Sequence, residues 1–199
     1  MPKYLSVIDA QESFRQRDYF VPRNLAACIT AQSALIDGCV AQDVRVVRVF
    51  HVEGSPAADN VFAIESGCVR PIKELIDFLP TAPFYKNRHS ALVGTGLQVW
   101  LQQNAIGGLN VSGIRTEQCC ETTTRHASDL GFQVDYVMDA TLTFDMTQAD
   151  GSPLCAADIK ARTATVLADR FARIASMEQA LKSLKALQPY QPAADTIDA

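Results

Sequence analysis

An acid, a base and a nucleophile stand at the ends of three short apolar runs. Asp9 closes Tyr4-Leu5-Ser6-Val7-Ile8 and Lys86 closes Pro83-Phe84-Tyr85. Cys119 lies in Gly113-Ile114-Arg115-Thr116-Glu117-Gln118-Cys119-Cys120, which follows the run Leu109-Asn110-Val111-Ser112 and leads into a helix-like segment, Glu121 to Leu130. This spacing places a thiol in the first turn of a helix at the end of a strand. The partial positive charge and unpaired N–H groups there favour thiolate over thiol, and the same donors can hold a developing oxyanion. A free thiol, with a pKa of about 8.5, is only a few per cent ionised at neutral pH. Asp9 can take its proton while Lys86 and the helix terminus stabilise the charge, which equips the trio for covalent catalysis at a carbonyl carbon.

The elements that must bring these residues together alternate between strand and helix, the pattern of βαβ units and a parallel sheet. Strands are expected at Lys3 to Ile8, Val44 to Phe50, a segment ending at Lys86, a run from Leu109, Phe132 to Met138, and Arg173 to Ala175. Helices are expected at Asn24 to Gln42, Pro71 to Phe78, Gly94 to Gln103, Glu121 to Leu130, Leu154 to Phe171, and from a Ser176 N-cap to Leu187. Right-handed crossovers then place helices on both faces of a Rossmann-like, six-stranded parallel sheet, a three-layer α/β/α sandwich. Ligands bind such sheets beyond the carboxyl ends of the strands, where Asp9, Lys86 and Cys119 are expected. One domain over 1–188 is expected, with a flexible tail over 189–199.

Composition narrows the function classes. A chain of 199 residues with 48% hydrophobic and 20% charged residues suits one globular domain. The net charge of -4 argues against general nucleic-acid binding. No apolar run without interruption approaches the roughly 20 residues of a membrane span, and Met1-Pro2-Lys3 passes straight into a strand, so no membrane partner is expected and the expected location is the cytoplasm. The six cysteines form no C-x-x-C pair, which fits thiols in a reducing compartment.

The order Ile8-Asp9-Ala10-Gln11-Glu12-Ser13-Phe14, Lys86 with Ser90-Ala91 and Gly94-Thr95-Gly96-Leu97, Gly113-x-x-Thr116-x-x-Cys119, Ala127, Gly131 and Asp139-Ala140 resembles the isochorismatase-like hydrolase superfamily in its cysteine-containing branch. The resemblance implies a catalytic triad of Asp9, Lys86 and Cys119, and a cis peptide between Ile114 and Arg115. It further implies an oxyanion site from the N–H groups of Arg115 and Cys119, provided the Thr116 hydroxyl does not cap the Cys119 N–H. The implied reaction is hydrolysis of a small amide, carbamoyl or ureido compound through a thioester, without a cofactor, in a homodimer or homotetramer. Superfamily members that hydrolyse a vinyl ether lack the cysteine.

Several residues carry two readings. Gln11 and Phe14 are candidates for the pocket lining. Arg115 either pairs with Glu117 or another acid, or binds a substrate carboxylate through its planar fork. His51 and Glu53 stand where the nicotinamidase branch carries metal ligands, yet no second histidine follows between Gly54 and Arg70, so no metal is expected; a set with Asp59 or Glu65 is the alternative. Cys120, about 100° further round a helix, belongs to the core, and His89 and His126 are structural or exposed. A non-catalytic binding or assembly module, or a redox pair of Cys119 and Cys120, are the competing functions.

Overall fold

The computed structural model describes residues 3–54, 57 and 59–184. Six parallel strands form one sheet: β1 (Lys3–Ile8), β2 (Val46–His51), β3 (Ala82–Lys86), β4 (Gly108–Ile114), β5 (Gln133–Leu142) and, after a small hairpin of β6 (Met146–Thr147) and β7 (Pro153–Leu154), β8 (Arg173–Ala175). Their order is β3-β2-β1-β4-β5-β8, so the chain reverses direction across the sheet between β1 and β4. Crevices beyond the carboxyl ends of strands open at such reversals.

Strands β1 and β2 alternate their side chains between two cores. Leu5, Val7 and Val46 face α1 (Leu25–Ala41) and α5 (Met177–Ser183), whereas Tyr4, Ile8, Val47 and Val49 face α2 (Leu97–Gln103) and α3 (Glu121–Asp129). The last residue of α4 (Ala156–Leu167), Leu167, joins the second core. This is the expected three-layer sandwich. The stretch Pro22–Ala41 has the length and mean hydropathy, 1.2, of a membrane span. Its apolar side chains Leu25, Cys28, Ile29, Leu35 and Ile36 are buried against the sheet, which makes it a core helix here.

Differences from the expected elements have local causes. Residues 71–78 form turns instead of a helix, because Glu12 and Ala10 claim the backbone: Lys73 N–H donates to Glu12 Oε1 and Ile72 N–H to the Ala10 carbonyl. Strand β5 runs four residues past Met138, since Thr141 and Leu142 pair with Gly113 and Ile114 across a register shift. Helix α4 stops at Leu167, where a turn with Asp169 at φ 59° starts the path to β8. Ser176 caps α5 through a reciprocal capping box with Gln179. The tail expected over 189–199 lies outside the described residues.

Candidate active site

Asp9 follows β1 in the left-handed region, φ 52°, a conformation aspartate tolerates better than most side chains. Its N–H donates to the Val49 carbonyl and its own carbonyl accepts from Gln11, which turns the chain and leaves the carboxylate fully buried. On the neighbouring strand, Ile8 pairs with Gly113. A Cβ on Gly113 would lie 1.9 Å from the Ile8 carbonyl oxygen, so only glycine lets the end of β4 approach Asp9. The Ile114–Arg115 peptide that follows is cis.

The cysteine segment then departs from the expected α-helical first turn. Thr116–Cys120 is a single π turn, with the Cys120 N–H reaching the Arg115 carbonyl, and α3 begins only at Glu121. Single π turns concentrate at functional sites. Two contacts to β5 hold this one in place: Tyr136 donates to the Thr116 carbonyl at 2.7 Å and Thr116 to the Thr141 hydroxyl at 3.0 Å. The Thr116 hydroxyl donates to Thr141, and among the described residues it accepts no hydrogen bond from the Cys119 N–H.

Lys86 ends β3, two strands from Asp9, and brings a buried ammonium to it. Nζ lies 2.7 Å from Asp9 Oδ2 as an ion pair, 3.2 Å from Cys119 Sγ and 2.9 Å from His51 Nδ1. The other Asp9 oxygen, Oδ1, accepts no hydrogen bond among the described residues. Asp9, His51 and Cys119 offer ligand-type atoms within 4.8 Å of one another, the one such group among the described residues. Lys86 Nζ contacts an atom of each, so an ammonium stands where a cation would sit. An ammonium thus already engages all three residues, and Glu53, Asp59 and Glu65 join no such group among the described residues.

The thiol is not easier to ionise, contrary to the sequence reading. Burial pushes the Cys119 pKa well up, the Asp9 charge pushes it further, and Lys86 opposes both. The residue is 5% exposed, which outweighs the benefit of the turn's N–H groups. At rest the site therefore holds a thiol beside a carboxylate. Burial acts to lower the pKa of Lys86, but its polar contacts, attraction to the Asp9 charge foremost, more than offset it and the net direction is up, so the ammonium keeps its charge. For His51, burial and then the Lys86 charge lower the pKa, which leaves the ring neutral.

A cavity of about 400 Å³ opens over Cys119. Phe14, Tyr19 and Phe62 form aromatic walls, with Phe14 and Phe62 edge-to-face at 5.3 Å, and His51 lies beside Phe62. Arg17 and His89, both exposed, stand on its lining near Glu53 and Gln118. Gln11 is not on the lining: it is fully buried, and its amide accepts from His51 N–H and donates to the His51 carbonyl and Ser13 Oγ. Nor is Arg115. Its guanidinium is 3.0 Å from Glu117 Oε1 and packs over Tyr19 and Phe144, so the side chain is committed to the protein. Cys120 is fully buried in the core beneath α3, and His126 bonds Ser90. Sequence reasoning did not single out Arg17, Tyr19 or Phe62; they come from loops after β1 and β2 that carry no periodic signal.

A cysteine at the reversal point of a six-stranded α/β/α sheet, buried with a lysine and an aspartate from other strand ends at the same sheet edge, defines a class of hydrolase fold. A model of the Isochorismatase domain matches residues 3–178, and the chain belongs to that family. It is 27% identical over 182 residues to YrdC, an uncharacterized isochorismatase family protein of Bacillus subtilis (strain 168), covering 89% of this chain and 93% of that one. A shorter match, 43% over 60 residues and 30% of each chain, is to Nicotinamidase 3 of Arabidopsis thaliana. The crystal structure of an isochorismatase-family protein from Chromobacterium violaceum superposes with a TM-score of 0.82 at 26% identity, covering 94% of this chain and 93% of that one.

Proposed function

We propose that this protein is a cysteine hydrolase that cleaves a carbon–nitrogen bond of a small amide, carbamoyl or ureido compound, with Asp9, Lys86 and Cys119 as its catalytic residues. One observation carries the reading: a buried ammonium lies 2.7 Å from Asp9 and 3.2 Å from Cys119, and the Cys119 thiol lines the cavity. Asp9 Oδ1, which has no hydrogen-bond partner among the described residues, takes the thiol proton as Sγ attacks the carbonyl carbon. Lys86 offsets the negative charge passing between sulfur and carboxylate. The N–H groups of Arg115 and Cys119 receive the oxyanion. Collapse breaks the C–N bond, and the proton held by Asp9 goes to the departing nitrogen as ammonia or amine. Water then attacks the thioester, Asp9 takes a proton from it, and the thiol is restored with release of the acid.

The lining narrows the substrate. Aromatic walls suit a flat, compact molecule. The Arg17 guanidinium makes no hydrogen bond or ion pair among the described residues and lies 5.8 Å over the Tyr19 ring, so it is available to an anionic group at the mouth. Arg17 thus takes the role for which Arg115 was a sequence candidate. The test is ammonia release from a panel of small amides, ureides and N-carbamoyl amino acids, run with the wild-type protein and Asp9→Asn. Release by the wild type that falls roughly 100-fold or more in the variant supports the reading. Equal rates in the two proteins would exclude Asp9 as the base.

A further inference from the structure

We infer that His51 is a positioning residue for this site: its Nδ1 is the third acceptor around Lys86 and keeps the ammonium facing Asp9 and Cys119. The inference rests on the catalytic reading of Cys119 given above and extends it one layer outward. A lysine ammonium has three N–H donors and no acceptor. At 2.9 Å from Nζ, His51 Nδ1 must therefore be the acceptor, which puts the ring proton on Nε2. That proton faces Glu53 Oε2 at 3.4 Å. A chain of polar contacts results, from Glu53 through the imidazole to Lys86, and from there to the carboxylate and the thiol.

The surroundings hold the ring in this state. Gln11 grips the His51 backbone on both its N–H and its carbonyl, and Phe62 packs edge-to-face on the ring at 5.6 Å. The charged and titratable groups facing it come from each neighbouring element: Lys86 from β3, Asp9 after β1, the Cys119 thiol from the π turn, and Glu53 from its own segment. Burial and Lys86 together keep the ring neutral at pH 7. As pH falls through its lowered pKa, protonation removes the acceptor and sets two cations 2.9 Å apart. The ammonium must then shift away, and the site loses its alignment.

Alkylation of Cys119 by iodoacetamide, followed by site-resolved peptide mass spectrometry between about pH 5 and 8, reads this alignment without a known substrate. His51→Asn supplies an oxygen acceptor at the Nδ1 position and does not titrate. It should label within about threefold of wild type at pH 8 and show only the fall with pH set by thiol ionisation, without the additional acid loss that the wild type shows below its histidine pKa. His51→Ala should label roughly 10-fold more slowly throughout, the effect of one lost hydrogen bond to a charged group. An alanine variant with the wild-type rate and profile overturns the inference, as does an asparagine variant that follows alanine. The ¹⁵N shifts of the His51 ring in the unmodified protein decide independently of any variant or label. A protonated Nε2 with bare Nδ1 at pH 7 supports the inference, and a protonated Nδ1 refutes it. Failure of Cys119 to label in the wild type counts against the nucleophile reading alone, since the ring shifts still test His51.

Discussion

Replacing Lys86 by methionine should cost the fold about 3–5 kcal/mol, the penalty for removing one partner of a buried ion pair. The side chains of Lys86 and Asp9 are both fully buried, so water cannot compensate the carboxylate left behind. Methionine keeps most of the stem volume, which confines the loss to the charge and its contacts. A loss of that size lowers the folding constant by roughly two to nearly four orders of magnitude. Against a typical total of about 5–15 kcal/mol, the variant should still fold at low denaturant. The pair Asp9→Asn/Lys86→Met removes both charges and should recover a large part of the loss, with a coupling energy of about 2 kcal/mol or more. Urea unfolding followed by fluorescence and circular dichroism measures all four proteins of the cycle. A loss under about 1 kcal/mol for Lys86→Met, or losses that add within about 0.5 kcal/mol, would refute the reasoning that the two charges depend on each other.

Arg17→Ala should weaken an anionic substrate by about 1 kcal/mol, roughly fivefold in KM, because the guanidinium is solvent-exposed, and should leave a neutral analogue unchanged; equal effects on both would remove Arg17 from substrate recognition. Arg115→Ala should instead lower stability by about 3 kcal/mol, by leaving Glu117 without its cation, and a fully stable variant in urea unfolding would contradict this. Activity should survive dialysis against a strong chelator with metal removal verified by elemental analysis, since Lys86 stands among the groups that could bind an ion; loss restored by zinc or manganese would overturn this. For Asp135, burial alone would raise the pKa, but Arg173, Lys3 and Ser183 prevail and hold it below the ordinary value. A lowered folded pKa means stabilisation that is complete above about pH 4 and lost as pH falls through the folded value. Asp135→Asn should therefore be less stable than wild type at pH 7, with the difference shrinking in acid; a constant difference would be inconsistent with that linkage.

Much of the fold was legible because its signals are local. β1 matches its expected span, and the βαβ alternation alone prescribes the sandwich. The strand-end placement of Asp9, Lys86 and Cys119 was legible for the same reason, since parallel strands bring their carboxyl ends to one edge. What the sequence hid depends on contacts between distant segments. The helix expected at Pro71 to Phe78 gives way to bonds with Ala10 and Glu12, some 60 residues away. The π turn depends on Tyr136 and Thr141 holding Thr116, and no pattern within Thr116 to Cys120 announces it. The direction of the thiol pKa was misread because a helix N-terminus is visible in sequence and the burial of Cys119 is not. His51 was weighed as a metal ligand, but its partner is a lysine 35 positions onward, brought there by the pairing of β2 with β3.

The identity of the nucleophile is the central claim, and adjacent cysteines allow it to be tested by one comparison. Cys119 lies on the cavity and contacts Lys86, whereas Cys120 is fully buried in the core. The measurement is the rate of ammonia release by Cys119→Ala and Cys120→Ala, on an amide or ureide that the wild type hydrolyses, with folding verified by circular dichroism. Cys119→Ala should be folded and without turnover, and Cys120→Ala should retain activity of the wild-type order. Turnover by a folded Cys119→Ala, or its loss only in Cys120→Ala, would contradict the proposed triad.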